Sequence, residues 1–331
     1  MYQAKSKRDG NVRIFDADMN AQATRNSDLQ NDLRRALNRR QFVLHYQPTV
    51  CLRSGKILGV EALIRWQRSP HELVAPADFI PLAEELGLIN EIGEWALRSA
   101  CAQSNAWRGS GVPHVRMAVN VSARQLQEKE FSKTVCRILD ETGLPARSLE
   151  LELTETALIE SFDRAPSALT KLQDLGVGVA IDDFGTGYSS LSYLRKFDFQ
   201  TLKIDRCFME DIVLDQKAAS LASGLITLAH NLKLSVIAEG VEFNHQRHFL
   251  EVHACDQLQG FLASKALPAD QIEGLLKAND SLIELPVLSG DITRLASLHQ
   301  VGHQTGGIAT ELTESALIRR ALLQPFGITK D

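Results

Sequence analysis

Leu151-Glu152-Leu153-Thr154-Glu155, followed after a helix-length interval by Ala180-Ile181-Asp182-Asp183-Phe184-Gly185, is the stretch that decides the fold. Both runs are strand-like and both end in carboxylates, and residues 165–175 between them carry a helical pattern. A strand, a helix and a second strand in that order are the repeating unit of a parallel sheet. The pattern recurs on either side. Upstream lie Val60-Glu61-Ala62-Leu63 and Ala118-Val119-Asn120-Val121-Ser122; downstream lie Leu202-Lys203-Ile204-Asp205 and Ile237-Ala238-Glu239-Gly240-Val241-Glu242. Buried acids are costly unless they are paired or bind a metal. A single strand end of this kind is an accident of packing; repeated at helix-length intervals, it describes a ring of ligands at one face of a (β/α) barrel.

Working outward, strands are expected at 42–50, 57–66, 115–121, 149–154, 178–182, 200–204, 234–239 and about 255–261. Helices fit at 76–86, 91–109, 132–143, 165–175, 189–197, 218–232 and 246–252. This rhythm predicts an α/β chain, a (β/α)8 TIM-like barrel. Residues 52–56 are too short for a parallel crossover, so the first strand pair is expected to be antiparallel.

The flanks read differently. Residues 1–16 hold a basic helix-like run, the turn signal Asp9-Gly10-Asn11 and a strand-like run, which looks like the end of another unit. Residues 17–40 place Leu29, Leu33 and Leu37 on one helical face. Periodicity leaves open whether that helix packs on the barrel or serves as a signalling linker. The main domain is expected over 25–278. Beyond it, 279–331 form a Pro- and Gly-punctuated tail of unassigned role, partly disordered, with one helix pattern at 311–323.

Composition narrows the function. A net charge of −5 disfavours a nucleic-acid duplex as partner. Cys51, Cys101, Cys136, Cys207 and Cys255 are scattered without a C-x-x-C pair, which predicts reduced thiols and a cytoplasmic protein. No apolar run reaches the roughly 18–20 residues of a membrane span, and the polar start Met1-Tyr2-Gln3-Ala4-Lys5 is no signal peptide. Neither a dinucleotide fingerprint nor a G-x-S-x-G elbow is present.

The strand-end residues suit hard cations. Glu61, Asn120, Glu152 and Asp182 offer oxygen donors, and no histidine accompanies them, which favours Mg²⁺ or Mn²⁺ over zinc. Asp183 joins Asp182 only if the chain bends, which Gly185 and Gly187 would permit. Two ions about 3.5–4 Å apart form the usual clamp for in-line attack on a phosphodiester. Lys203 is placed to stabilise charge or orient water, and Glu239 to deprotonate it. Each residue also has an ordinary structural explanation: a strand-end salt bridge for Glu61, a turn or cap for Asn120, loop chemistry for the Asp pair, an ion pair for Lys203. Their joint occurrence is what favours chemistry.

With these residues in view, the chain resembles the EAL domain family of cyclic di-GMP phosphodiesterases. The likeness is carried by Tyr46-Gln47-Pro48, Glu61-Ala62-Leu63-Ile64-Arg65-Trp66, Phe79-Ile80-Pro81-Leu82-Ala83-Glu84, Asn120-Val121-Ser122 and Glu152-Leu153-Thr154-Glu155. It continues through the segment 182–191, Leu202 to Asp205, Ala238 to Glu242 and Gln259-Gly260-Phe261. Residues 1–15 resemble the last helix and strand of a GGDEF domain.

The resemblance implies metal-dependent hydrolysis of cyclic di-GMP to linear pGpG with two Mg²⁺ or Mn²⁺ ions. The implied metal ligands are Glu61, Asn120, Glu152, Asp182, Asp183 and Glu239. Lys203, Glu239 and Glu61 would be catalytic; Gln47, Arg65, Asp205, Glu242 and Gln259 would contact substrate; Glu155 would brace the loop after Asp183, which couples to dimerisation. A homodimer and an upstream GGDEF or sensory domain are implied partners. Lys265 stands where the family commonly has arginine, at a cost in fork geometry. Two other readings remain: a cyclic di-GMP receptor without turnover, and an interaction scaffold.

Overall fold

The computed structural model describes residues 29–161, 165–186, 194 and 197–283. In chain order its strands are β1 (Phe42–Cys51), β2 (Ile57–Ser69), β3 (Glu72–Val74), β4 (Arg116–Asn120), β5 (Leu149–Thr154), β6 (Gly178–Phe184), β7 (Thr201–Ile204), β8 (Ser235–Ala238) and β9 (Gln257–Leu258). All but β3 close into a barrel in the order β1-β9-β8-β7-β6-β5-β4-β2, sealed by pairing of β1 with β2. From β2 through β9 the barrel neighbours run parallel. β1 is antiparallel to β2, as its five-residue connection requires, and therefore antiparallel to β9 as well.

Alternation within each strand separates core from site. In β5, Leu149, Leu151 and Leu153 are fully buried against the helical layer, while Glu150 and Glu152 face the barrel interior. At the closed end of the barrel, Glu150 accepts from Thr201 Oγ1 at 2.7 Å and from Arg116 Nη1 at 2.8 Å, so that layer is satisfied internally.

The helices are α1 (29–36), α2 (Pro76–Glu85), α3 (Ile89–Gly109), α4 (Ala123–Gln127), α5 (Phe131–Thr142), α6 (Glu155–Glu160), α7 (Ala165–Asp174), α8 (Gln216–Asn231), α9 (Asn244–Val252) and α10 (Ala269–Ala278). Apart from the helix expected over 17–40, the expected helices that fall on described residues are recovered to within about two residues, the usual latitude of helix ends. α4, α6 and α10 were not anticipated; the first two are too short to display a 3.6-residue period. β3 was likewise missed. β9 is shorter than expected because the chain turns at Gly260, where a Cβ would lie 2.1 Å from the carbonyl oxygen of Val241. The expectations for 1–16, for 17–28 of the leading helix, for the tail helix at 311–323 and for nearly all of 189–197 lie outside the described residues.

A second core sits beside the β1–β2 hairpin. α1 inserts Leu33 and Ala36 among Phe42, Trp66, Val74, Phe79, Ile89 and Ile92. The rings of Phe79 and Trp95 both lie 5.7 Å from Phe42, within the range for aromatic contact. α1 ends at residue 36, short of the expected 40, and it packs on the domain. β2 pairs with β4 only over Gly59–Ala62, so the rest of the hairpin stands above the barrel mouth. The second core holds it there.

Candidate active site

Each barrel strand brings a polar side chain to the mouth, within the strand or, for β8 and β9, on the residue just past it, and these join one network around Lys203. The Lys203 Nζ lies 2.7 Å from Glu239, 2.9 Å from Glu152, 3.2 Å from Asp182 and 3.5 Å from Glu61. Asn120 Nδ2 donates to Glu61 Oε1 at 2.6 Å, and Gln259 Nε2 donates to Glu61 Oε2 at 2.7 Å. Gln259 Nε2 also reaches Gln47 Oε1 at 3.2 Å, completing the circuit. Lys203, Glu152, Glu61, Asp182 and Gln259 are all buried. Backbone bonds set the levels of these residues: Val121 N–H donates to the Glu152 carbonyl, Glu239 N–H to the Ile204 carbonyl and Gln259 N–H to the Ala238 carbonyl.

Asp182 and Asp183 converge through a β-bulge. The β6–β7 register shifts between Ile181 and Phe184, Asp183 adopts φ of 52° and Gly185 of 97°. The bend thus falls on Asp183 itself as well as on the expected Gly185; Gly187 lies outside the described residues. Asp183 N–H donates to Asp182 Oδ1 at 2.9 Å. As a result Asp182, Asp183 and Glu239 each bring a carboxylate oxygen within 4.8 Å of one another.

Electrostatically the ring has a surplus of acid. Burial, followed by Glu61 and the other neighbouring carboxylates, pushes Glu152 well above the ordinary range. Burial also raises Asp182, even against the Lys203 charge. Asp183 rises to about 6 through burial and the charge of Asp182, and Glu239 to about 8 through burial. Glu61 alone falls: burial opposes its charge, but Lys203 and the hydrogen bonds from Gln259 and Asn120 prevail. Burial would likewise depress Lys203, yet Glu152, Glu239, Glu61 and Asp182 hold it well above normal. One ammonium therefore faces more carboxylates than it can neutralise. Glu152 Oε2 is ion-paired with Nζ but has no hydrogen-bond donor among the described residues. Hard oxygen donors, excess buried negative charge and an orphaned carboxylate oxygen fit a divalent cation.

The family model described as the EAL domain matches residues 30–266. This chain belongs to the EAL domain family. Among curated proteins it is similar to the bifunctional diguanylate cyclase/cyclic di-GMP phosphodiesterase MucR of Pseudomonas aeruginosa, 43% identical over 272 residues, covering 82% of this chain and 40% of MucR. Similarity to the cyclic di-GMP phosphodiesterase NbdA of the same organism is 39% over 278 residues, covering 84% of this chain and 36% of NbdA. The chain thus spans well under half the length of these relatives. A solved MucR phosphodiesterase in complex with c-di-GMP superposes with a TM-score of 0.71 at 43% identity, covering 74% of this chain and 99% of that one. These structural neighbours share the TIM-like barrel.

Within this EAL domain the remaining expected residues are more dispersed. Arg65 lies on the inner face of the hairpin, four residues beyond Glu61, and its Nη1 donates to the Ile64 carbonyl. Asp205 caps the 3-10 turn Arg206–Phe208, accepting from Cys207 N–H at 3.0 Å. Glu242 is exposed in the turn leading to α9, outside the ring. Among the described residues neither carboxylate oxygen of buried Glu155 has a hydrogen-bond partner, and the loop it was expected to brace lies mainly outside them. Lys265 sits over the exposed Phe261 ring, 5.2 Å from its centroid, so the arginine replacement retains a cation–π contact. Sequence reasoning missed Gln246, a buried amide that accepts from the backbone N–H groups of Glu242 and Phe243 and donates to the Met209 carbonyl. It sits at the third position of α9 and reaches back to the N-cap N–H, but Phe243 at the N-cap has no side-chain acceptor, so the sequence shows no capping-box signal for it. Among the described residues no helix is long and apolar enough to cross a membrane.

Proposed function

We propose that this EAL domain hydrolyses cyclic di-GMP to linear pGpG with two Mg²⁺ or Mn²⁺ ions. The observation that carries this reading is the convergence of a strand-end polar ring on one ammonium with carboxylate to spare. Asp182, Asp183 and Glu239 would hold one ion, and Glu61, Asn120 and Glu152 would contribute to the pair. Bound ions supply a Lewis acid for the phosphodiester and an acidified water.

The protein's own groups have defined tasks. Lys203 is protonated throughout the physiological range, and its N–H groups face the carboxylates. Release of one carboxylate frees an N–H to hold the attacking water. Glu239 lies 2.7 Å from the Lys203 Nζ that would hold the water, so its carboxylate is placed to take the proton that the water gives up. Gln47 and Arg65 belong to the hairpin wall, with Gln259 beside Gln47, and Arg65 can meet a phosphate with a forked pair of hydrogen bonds. Asp205 and Glu242 would contact the substrate at the rim. Glu155 would brace the loop after Asp183, and a homodimer through that loop is part of the reading.

The proposed domain organisation keeps the remnant at 1–16, the linker helix at 17–40, the phosphodiesterase domain at 25–278 and the tail at 279–331. Free cysteines throughout support a cytoplasmic setting. The test is chromatography of the purified protein incubated with cyclic di-GMP and Mg²⁺ or Mn²⁺, against an EDTA control. Metal-dependent pGpG is expected; substrate that binds but persists with both metals would make the protein a receptor.

A further inference from the structure

The 3-10 turn Arg206–Phe208 follows β7 directly and stands between the two segments that carry the clustered carboxylates. On one side is the Asp182–Asp183 bulge, on the other the turn after Glu239. Both sides touch it at a glycine. A Cβ on Gly185 would lie 2.7 Å from Phe208 Cζ and 2.9 Å from its Cε2. A Cβ on Gly240 would lie 2.3 Å from the Arg206 Cβ and 3.1 Å from its Cα. Gly185 and Gly240 have φ of 97° and 64°, so each is favoured by its backbone as well as by the lack of room.

Hydrogen bonds anchor the same turn. Gln246 Nε2 donates to the Met209 carbonyl at 2.8 Å while its Oε1 accepts from Glu242 N–H at 2.7 Å and Phe243 N–H at 2.9 Å. Glu239 N–H donates to the Ile204 carbonyl at 3.0 Å. The turn is therefore tied by hydrogen bonds to the Glu239 side, whereas it meets the Asp183 side through the Phe208 ring against Gly185. Phe208 is only partly buried and packs on Gly185, beside which Leu225 of α8 also lies.

We propose that this turn is a spacer that sets the separation of the Asp182–Asp183 pair from Glu239, with Phe208 as its positioning residue for divalent-cation binding. The inference rests on the reading of those three carboxylates as metal ligands. Phe208 touches no reacting atom; it acts by fixing where the bulge stops. Shortening the ring lets the bulge move inward or outward, and three oxygens that must meet one small cation lose their common distance. Mg²⁺ and Mn²⁺ demand near-regular oxygen geometry, so such slack weakens binding.

The test is titration of metal-free protein with Mn²⁺, reading free Mn²⁺ by electron paramagnetic resonance, with thermal melting measured in parallel. Phe208→Ala is expected to weaken Mn²⁺ binding by about 10–100-fold, the usual effect of losing a supporting residue. Phe208→Leu is expected to fall between it and the parent, and carries the test if the alanine variant does not fold. Ile138→Ala, in the buried face of the outer helix α5, supplies the control: a lower melting temperature with unchanged Mn²⁺ affinity. Parent-like affinity in the Phe208 variants, or equal weakening in Ile138→Ala, overturns the spacer. A parent protein that binds no Mn²⁺, or binds it equally well with Asp182→Asn, overturns the metal reading and with it the spacer.

Discussion

Lys203 shows how much one residue can depend on its surroundings. Its ammonium is buried, a position that is normally prohibitive for an isolated charge, and only the surrounding carboxylates make it tenable. Lys203→Met leaves those carboxylates facing one another. Breaking a buried ion pair from one side costs about 3–5 kcal/mol, and we expect a loss of that order in urea denaturation of the metal-free protein. Glu61→Ala is the complementary case. It removes the acceptor shared by Asn120, Gln259 and Lys203, and turnover of cyclic di-GMP should disappear while far-ultraviolet circular dichroism keeps the parent signal. Retained turnover would take Glu61 out of the metal site. The identities of these residues were legible at strand ends in the sequence. Their contacts were not, because residues as far apart in the chain as Glu61 and Lys203 meet only when the barrel closes.

At the level of elements, the informative piece is the short α4. Ser122 caps it: its Oγ accepts from Gln125 N–H at 3.3 Å, and Gln125 Oε1 accepts in turn from Ser122 N–H at 3.2 Å. The buried Gln125 amide lies directly on Gly93 of α3, where a Cβ would fall 2.2 Å from its Nε2. Gly93→Ala is therefore a contest between two effects. Helix propensity favours alanine by about 0.5–1 kcal/mol. Overpacking costs about 1–3 kcal/mol and should prevail, with a net loss in the urea midpoint. A stabilised variant would mean that Gln125 moves aside freely. The sequence displayed α3 through its long apolar period but gave no sign of this interlock. A glycine inside a helix has several possible causes, and close approach is visible only once both helices are placed.

For the whole molecule, the ring links stability to pH and to divalent ions. Asp183 and Glu239 titrate at about 6 and about 8 in the folded protein, above their ordinary values of 3.8 and 4.5. The folded protein therefore holds protons that the unfolded chain has released, and stability falls as pH rises across that window. Raised Glu152 and Asp182 add to that fall, and lowered His45 opposes it at the acid end of the window; raised Lys203 withdraws its contribution only above the usual lysine range, and lowered Glu61 only below the usual carboxylate range. We expect the metal-free protein to melt lower at about pH 8.5 than at about pH 5.5. Mg²⁺ should narrow the gap by taking the place of the lost protons, with binding strengthening as pH rises. Calorimetry at both pH values, with and without Mg²⁺, checks this. A metal-free protein that is more stable at the higher pH would contradict the surplus of buried acid.

By itself the sequence determined the barrel, its antiparallel first pair, the family and the residues at the strand mouths. These depend on local information: alternation within a strand, the length of a connection, the order of short motifs. Only the tertiary structure decided which of those residues touch, that Asp183 swings beside Asp182 through a bulge, and that Phe208 and Gly185 meet between the ligand-bearing turns. Contacts of this kind depend on strand register and on close approach across the barrel. Both are settled by packing the whole chain, and no single segment encodes them.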